Sequence, residues 1–331
     1  MSLLDKFKNL YSGELQSVNG MSIIPLIDDK DDEFTDIASF EEVNFEGTQD
    51  GYGTMTYTND SEEKIGIVPT NSFIISKQMA QDHAMGSSGL VPATGIESYN
   101  NACCIQSSQG GSLTSSGTDH DFGILPVSLR GSLDSSKRMR NSYNKIWDDI
   151  KHFNGDLVDS DNSSWGSSDA HLCYFFTKFE DELDNFLAEF EVVPGQVGAL
   201  VYFGNALVGM ELAPNRDFWN SVWNWLIRGC YGAEYLQRVK NGNGFGSIKL
   251  PDLSKVSSLD DMTTRIDGYL NNIRKDLMKV VSPSNMRLSS NSYQRLDNFD
   301  LSYSELSMGD FKLKGDIVTA DDKVVYISTV R

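Results

Sequence analysis

Basic residues, cysteine, histidine and long apolar runs are all scarce in this chain. Its 28 Lys and Arg against 47 Asp and Glu give a net charge of −19. Such a surface repels phosphate backbones and anionic headgroups, which excludes nonspecific nucleic-acid binding and charge-driven membrane docking. The four cysteines, Cys103, Cys104, Cys173 and Cys230, form neither a CxxC pair nor a zinc-ribbon spacing, so a disulfide framework is excluded and a reducing compartment is expected. The four histidines, His83, His120, His152 and His171, never fall at the i, i+4 spacing of a helical metal pair. No apolar run approaches the roughly 18 residues of a membrane span. The opening MSLLDKFKNLYSGELQ carries lysines inside its apolar positions and reads as a short amphipathic helix with Leu3, Leu4, Phe7, Leu10 and Tyr11 on one side, not as a secretory signal. The expectation is a cytoplasmic protein, or a virion protein if it comes from a phage, with no cofactor and no metal.

What is present predicts an α+β fold in three parts. Residues 1–135 are β-rich: MSIIPLI, GYGTMTYTN, KIGIVPT, SFIISKQM and NACCIQSS are strand-length segments separated by turn residues. The stretch 106–120, QSSQGGSLTSSGTDH, is too polar to pack and reads as a long surface loop. Residues 136–240 hold helices around a central hairpin. Met139, Tyr143, Ile146, Trp147 and Ile150 recur at helical spacing, as do Phe179, Leu183, Phe186, Leu187 and Phe190. In DFWNSVWNWLIRG, Phe218, Val222, Trp225 and Leu226 face inward and Gly229 is placed to end the helix. Residues 241–331 read as a C-terminal extension: a helix over 261–280, then FKLKGDIV and KVVYISTV as a closing hairpin that projects from the body.

The glycine-bearing stretch VVPGQVGALVYFGNALVGMEL, residues 192–212, invites comparison with a phosphate loop. A dinucleotide fingerprint concentrates its glycines in one strand-to-helix turn; here they are spread out. A hairpin fits every residue: Pro194 outside the ladder, Gly195 and Gly198 before the first strand, and Gly204 and Asn205 as its turn. Elsewhere the residues argue against chemistry. DHD at 119–121 lacks a third metal-ligating element, and DLVDSDNSSW, with Asp156, Asp159 and Asp161, lacks the glycine and the closing glutamate of a calcium loop. Cys104 and His83 are the one thiol–imidazole pair to weigh, but Cys104 sits in a strand-like run where a buried inert thiol is the usual outcome.

PGQVGALVYFGNALVGMEL, between an acidic amphipathic helix and the tryptophan-bearing NRDFWNSVWNWLIRGCYGAEY, resembles the later half of the ARG and rhodanese-phosphatase-superfamily-associated protein domain. ISKQMAQDHAMGSSGLVPATGIESYNNACCIQSSQGG and KRMRNSYNKIWDDI are similar to its earlier segments, so the resemblance covers about residues 1–240. It implies association with ADP-ribosylglycohydrolases and rhodanese-phosphatases in settings of nucleotide handling or phage–bacterium conflict. It also implies a pocket near Lys77, Gln78, Cys104, Gln106 and Gln196. The chain departs from the pattern where charge is expected: Asn71 and Ser72 stand in place of acidic residues, Met79 and Ala80 in place of asparagine and arginine, and Gln106 in place of glutamate. A site dependent on those charges would be disabled. The leading expectation is therefore a noncatalytic structural or interaction protein, a component of an assembly such as a phage virion. Its partners would be further copies of itself and neighbouring assembly proteins, met through the N-terminal helix, the 106–120 loop and the C-terminal hairpin. The alternative is a nucleotide or ADP-ribose binding or processing protein.

Overall fold

The computed structural model describes residues 9–28, 34–47, 53–76, 82–107, 120–133, 144–157, 162–163, 166–167, 171–244, 256–280, 282, 286–308 and 311–331. Residues 1–8 of the expected N-terminal amphipathic helix, most of the 106–120 loop, Asp119, Asp159, Asp161, Lys77 and Gln78 lie outside these residues, whereas Tyr11, expected on that helix, lies on a strand, Tyr11–Ser12, paired with Met21–Ile27.

One antiparallel sheet organises the chain. Its path runs Tyr11–Ser12, Met21–Ile27, Gln196–Phe203, Ala206–Leu212, Lys323–Val330, Phe311–Ala320, Phe299–Met308 and Met286–Leu296, with Gln16–Val18 also paired to Met21–Ile27. Alternation along each strand divides its apolar residues between two cores. Ile23, Val201, Val318 and Val325 enter one; Ile24, Leu200, Ile317 and Ile327 enter the other. The first core is completed by the small sheets of residues 43–99 and by the helix Arg216–Asn224. That helix starts where it does because the Asn215 side chain accepts the Phe218 N–H at 2.8 Å and donates to the Phe34 and Ile37 carbonyls. A third core gathers Phe73, Ile75, Ile105, Leu129, Ile150 and Phe175 beneath the helices Val127–Ser132, Asn144–Asn154 and Leu172–Lys178.

The α+β class holds, and the hairpin of 192–212 is present with Pro194 outside the ladder. Three expectations change. Gly198 lies inside the first strand instead of before it, because a side chain there would collide with the Glu211 carbonyl of the paired strand. Gly229 does not end a helix: Arg216–Asn224 continues as a π-helix, Trp225–Gly232, into Ala233–Lys240. The C-terminal segment is no projecting addition. Its closing hairpin, Phe311–Ala320 and Lys323–Val330, turns at Asp321 and Asp322 with φ of +48° and +62° and sits within the sheet. There Lys323–Val330 pairs with Ala206–Leu212, Gly209 opposite Val330 and Leu212 opposite Ile327. Two further strands, Met286–Leu296 and Phe299–Met308, extend the sheet beyond it.

Because the C-terminal strands cover the hairpin's outer edge and fill both cores, a chain ending at Lys240 is expected to lose cooperative unfolding in urea monitored by far-UV circular dichroism. A sharp transition at the full-length midpoint would show that the segment is dispensable.

Candidate functional site

Two of the sequence candidates come together on one short strand pair. Cys103–Cys104 lies antiparallel to His83–Ala84 with Cys104 opposite His83, and the Ile105 N–H donates to the Asp82 carbonyl at 2.9 Å. Just past this pair, the Gln106 side chain is clamped. Its Oε1 accepts the Asp82 N–H at 3.0 Å, and its Nε2 lies 3.0 Å from Nδ1 of His171. The Cys104 thiol donates to the Gln106 carbonyl at 3.0 Å. The helix Asn144–Asn154 braces both sides: the Trp147 indole donates to the Cys104 carbonyl at 3.0 Å, and the Asn154 amide donates to the His171 carbonyl at 2.9 Å.

Asp82, His83, Cys104, Gln106 and His171 are all buried. Burial pushes the Cys104 thiol up to about 11, with Asp82 adding to the effect and the bonds to Gln106 and Trp147 opposing it. Burial and Asp82 likewise push Cys173 up to about 12. Protonated thiols are poor nucleophiles and poor metal ligands, so Cys104 acts here as a hydrogen-bond donor. Among the described residues no group of three or more His, Cys, Asp or Glu is placed to hold a metal ion.

Gln196 is not part of this cluster. It pairs with Ile27 in the large sheet, and its side chain closes its own turn, accepting the Val193 N–H at 3.0 Å and donating to the Gly198 carbonyl at 2.9 Å. Turn backbone commonly recruits side-chain partners in this way. Gly195, at φ +79°, and Gly204, at φ +55°, take the left-handed conformations that turns require. Asn205 completes the tight connection to Ala206.

A second polar centre was not read from the sequence. Arg130, on the helix Val127–Ser132, reaches Glu211 at 3.1 Å, with their side chains 1% and 3% exposed. It also donates to Ser328 Oγ at 2.7 Å, to Asn71 Oδ1 at 3.3 Å and to the Cys230 sulfur at 3.7 Å. The Tyr231 hydroxyl donates to the same Glu211 oxygen at 2.6 Å. Gly209 makes this possible, since any side chain there would strike that hydroxyl. Burial raises the Glu211 carboxyl above its usual range while Arg130 pulls it down. Burial alone would lower the value for Arg130, but Glu211 outweighs it and keeps the guanidinium charged. Asn71, at φ +57°, also donates to the Met85 and Gly86 carbonyls. Thus Asn71 and Gln106, two amides where the family resemblance expects carboxylates, each have several bonds inside the protein. The signal for this centre was a lone charge in each of two apolar settings, Arg130 in LPVSLRG and Glu211 in VGMEL.

A cleft of about 410 Å³ opens between Val127–Ser132, Asn144–Asn154 and Ala233–Lys240. Ser128, Ser132, His152, Glu234 and Arg238 line it. Glu234 is buried; it accepts the Ser128 hydroxyl at 2.7 Å, the Ser128 N–H at 2.9 Å and Arg238 Nε at 2.7 Å.

The model of the ARG and Rhodanese-Phosphatase-superfamily-associated Protein domain matches residues 9–321, and the chain belongs to that family. The match runs well past residue 240, so the helix Leu259–Val280 and most of the C-terminal strands are part of the family domain. No curated protein and no solved structure matches the chain.

Three thiols, Cys104 and Cys230 buried and Cys173 half-buried, set an alkaline limit on stability. Unfolded thiols ionise near pH 9, whereas Cys104 holds its proton to about 11 and Cys173 and Cys230 to about 12. Over that window the unfolded chain binds fewer protons, so stability is full below pH 9 and is lost as pH rises toward 12. Tyr57 and Tyr326, whose hydroxyls burial also raises, act in the same direction. The urea midpoint is expected to fall steeply between pH 8 and pH 10.5, and less steeply in a Cys173→Ala, Cys230→Ala variant.

Proposed function

We propose that this family member is a noncatalytic interaction protein, one component of a larger assembly. The observation that carries this reading is the closure of the Cys104–Gln106 cluster. The thiol is buried and holds its proton, and an amide stands where a carboxylate is expected, bonded both to backbone and to His171. General acid–base and nucleophilic catalysis need a group whose proton affinity is matched to working pH and which can reach a substrate. Gln106 does not titrate, and Cys104 is spent on a carbonyl. A phage virion is one setting that suits an acidic protein of this kind.

The cleft bounded by Ser128, Glu234 and Arg238 supports a second reading, a protein that binds a nucleotide or ADP-ribose. Its volume falls within the range of small-molecule sites, roughly 300–1,000 Å³.

Native mass spectrometry of the untagged protein from its natural source separates the two. The first reading predicts a closed oligomer or a stoichiometric complex with other proteins. A monomer carrying a few hundred extra daltons, matched by calorimetric binding of ADP-ribose that Arg238→Ala abolishes, would replace it with the second.

A further inference from the structure

The hydrogen-bond pattern around Gln106 fixes more than an amide. A backbone N–H can only donate, so the Gln106 atom facing the Asp82 N–H is the oxygen, and the atom facing His171 is the NH₂ group. That group donates, so His171 Nδ1 must accept, and the ring proton of the neutral imidazole sits on Nε2. Protonating the ring would set an N–H against an N–H across 3.0 Å. The amide could answer only by turning over, which would take its oxygen from the Asp82 N–H and strand a buried donor.

We propose that Gln106 and His171 form an acid-sensitive latch, closed while the imidazole is neutral and opened when it takes a second proton. The latch joins the strand pair at Asp82 and Cys104 to the start of the helix Leu172–Lys178, for which His171 is the N-cap residue. Asn154 holds the His171 carbonyl from the neighbouring helix, so opening the latch loosens a junction of three elements packed over one core. The titratable groups on those elements are Asp82 and His83, Cys103 and Cys104, Cys173 with Tyr174, whose ring lies 5.7 Å from that of His171, and the exposed Lys178 at the far end of the helix. On Asn144–Asn154 the two side chains that bond to this junction, Trp147 and Asn154, do not titrate; its Lys145, Asp148, Asp149, Lys151 and His152 are exposed or half-buried. Of these groups Asp82 brings a carboxylate, which would favour the charged ring; the Gln106 bond opposes it. This inference stands apart from the assembly reading, since it requires no partner.

The test is nitrogen NMR of the full-length protein with ¹⁵N-labelled histidine, assigned through His171→Asn. At pH 8 the latch predicts an unprotonated Nδ1 and a protonated Nε2 on His171. On lowering the pH to 5 it predicts loss of that pattern together with a fall in the thermal midpoint. His171→Asn places a nontitrating oxygen at the Nδ1 position, so the part of the fall due to the latch should disappear. A protonated Nδ1 at pH 8, or an equal acid-induced fall in His171→Asn, would overturn the proposal. The tautomer is read on the unaltered protein once the other three histidines are assigned by their own variants, so the test survives even if His171→Asn fails to fold.

Discussion

A guanidinium with 1% of its side chain exposed cannot stand alone in a protein interior, and Arg130 meets a counter-charge at Glu211, 3.1 Å away. The partners around this pair come from distant parts of the chain. Asn71 precedes the strand Ser72–Ser76, Glu211 lies on the central hairpin, Cys230 and Tyr231 on the π-helix, and Ser328 on the C-terminal strand. Each group satisfies a neighbour that would otherwise be a buried polar atom without a partner. The sheet, the helix Val127–Ser132 and the C-terminal hairpin are therefore bound into one polar network as well as through shared apolar cores. The irregular π-helix fits this picture: with Gly209 opposite, its wider turn presents Tyr231 to Glu211.

At the Gln106 cluster both ends of the amide are likewise bonded. In both centres an amide stands where the family resemblance expects a carboxylate, Asn71 beside Arg130 and Gln106 beside His171. Neutral groups leave Glu211 as the counter-ion of Arg130 and let His171 stay neutral. Buried polar networks of this kind reward complete satisfaction and penalise any missing member. A protein built this way keeps its interior fixed, and the proposed interaction role rests on that feature.

Local patterns in the sequence led directly to much of the fold. The strand-length runs MSIIPLI and ALVYF, the helical spacing of Leu183, Phe186 and Leu187, and the TADD turn appear where expected, while Phe190 of the same stripe lies beyond the helix end at Leu187. The strands Met286–Leu296 and Phe299–Met308 escaped notice because serine, asparagine and charged residues interrupt their apolar pattern; they earn their place by pairing with each other and with Phe311–Ala320. The place of the C-terminal hairpin was also illegible, since the partner of KVVYISTV is a strand more than a hundred residues earlier. At the candidate site, Cys104 and Gln106 were found by position, while His171 and Asp82 were not, because only the fold brings residues 82, 106 and 171 together. Gln196 is the local counterpart: its neighbours in sequence are its partners in space, as expected of a side chain that caps its own turn.

The most direct test of this account is a double-mutant cycle on Arg130→Met and Glu211→Leu, read by urea unfolding. Removing either partner alone should cost about 3–5 kcal/mol, because it strands a buried charge, while replacing both with apolar residues of similar size should cost far less than the sum. Single costs that add to within about 0.5 kcal/mol of the double would contradict the central place given to this pair.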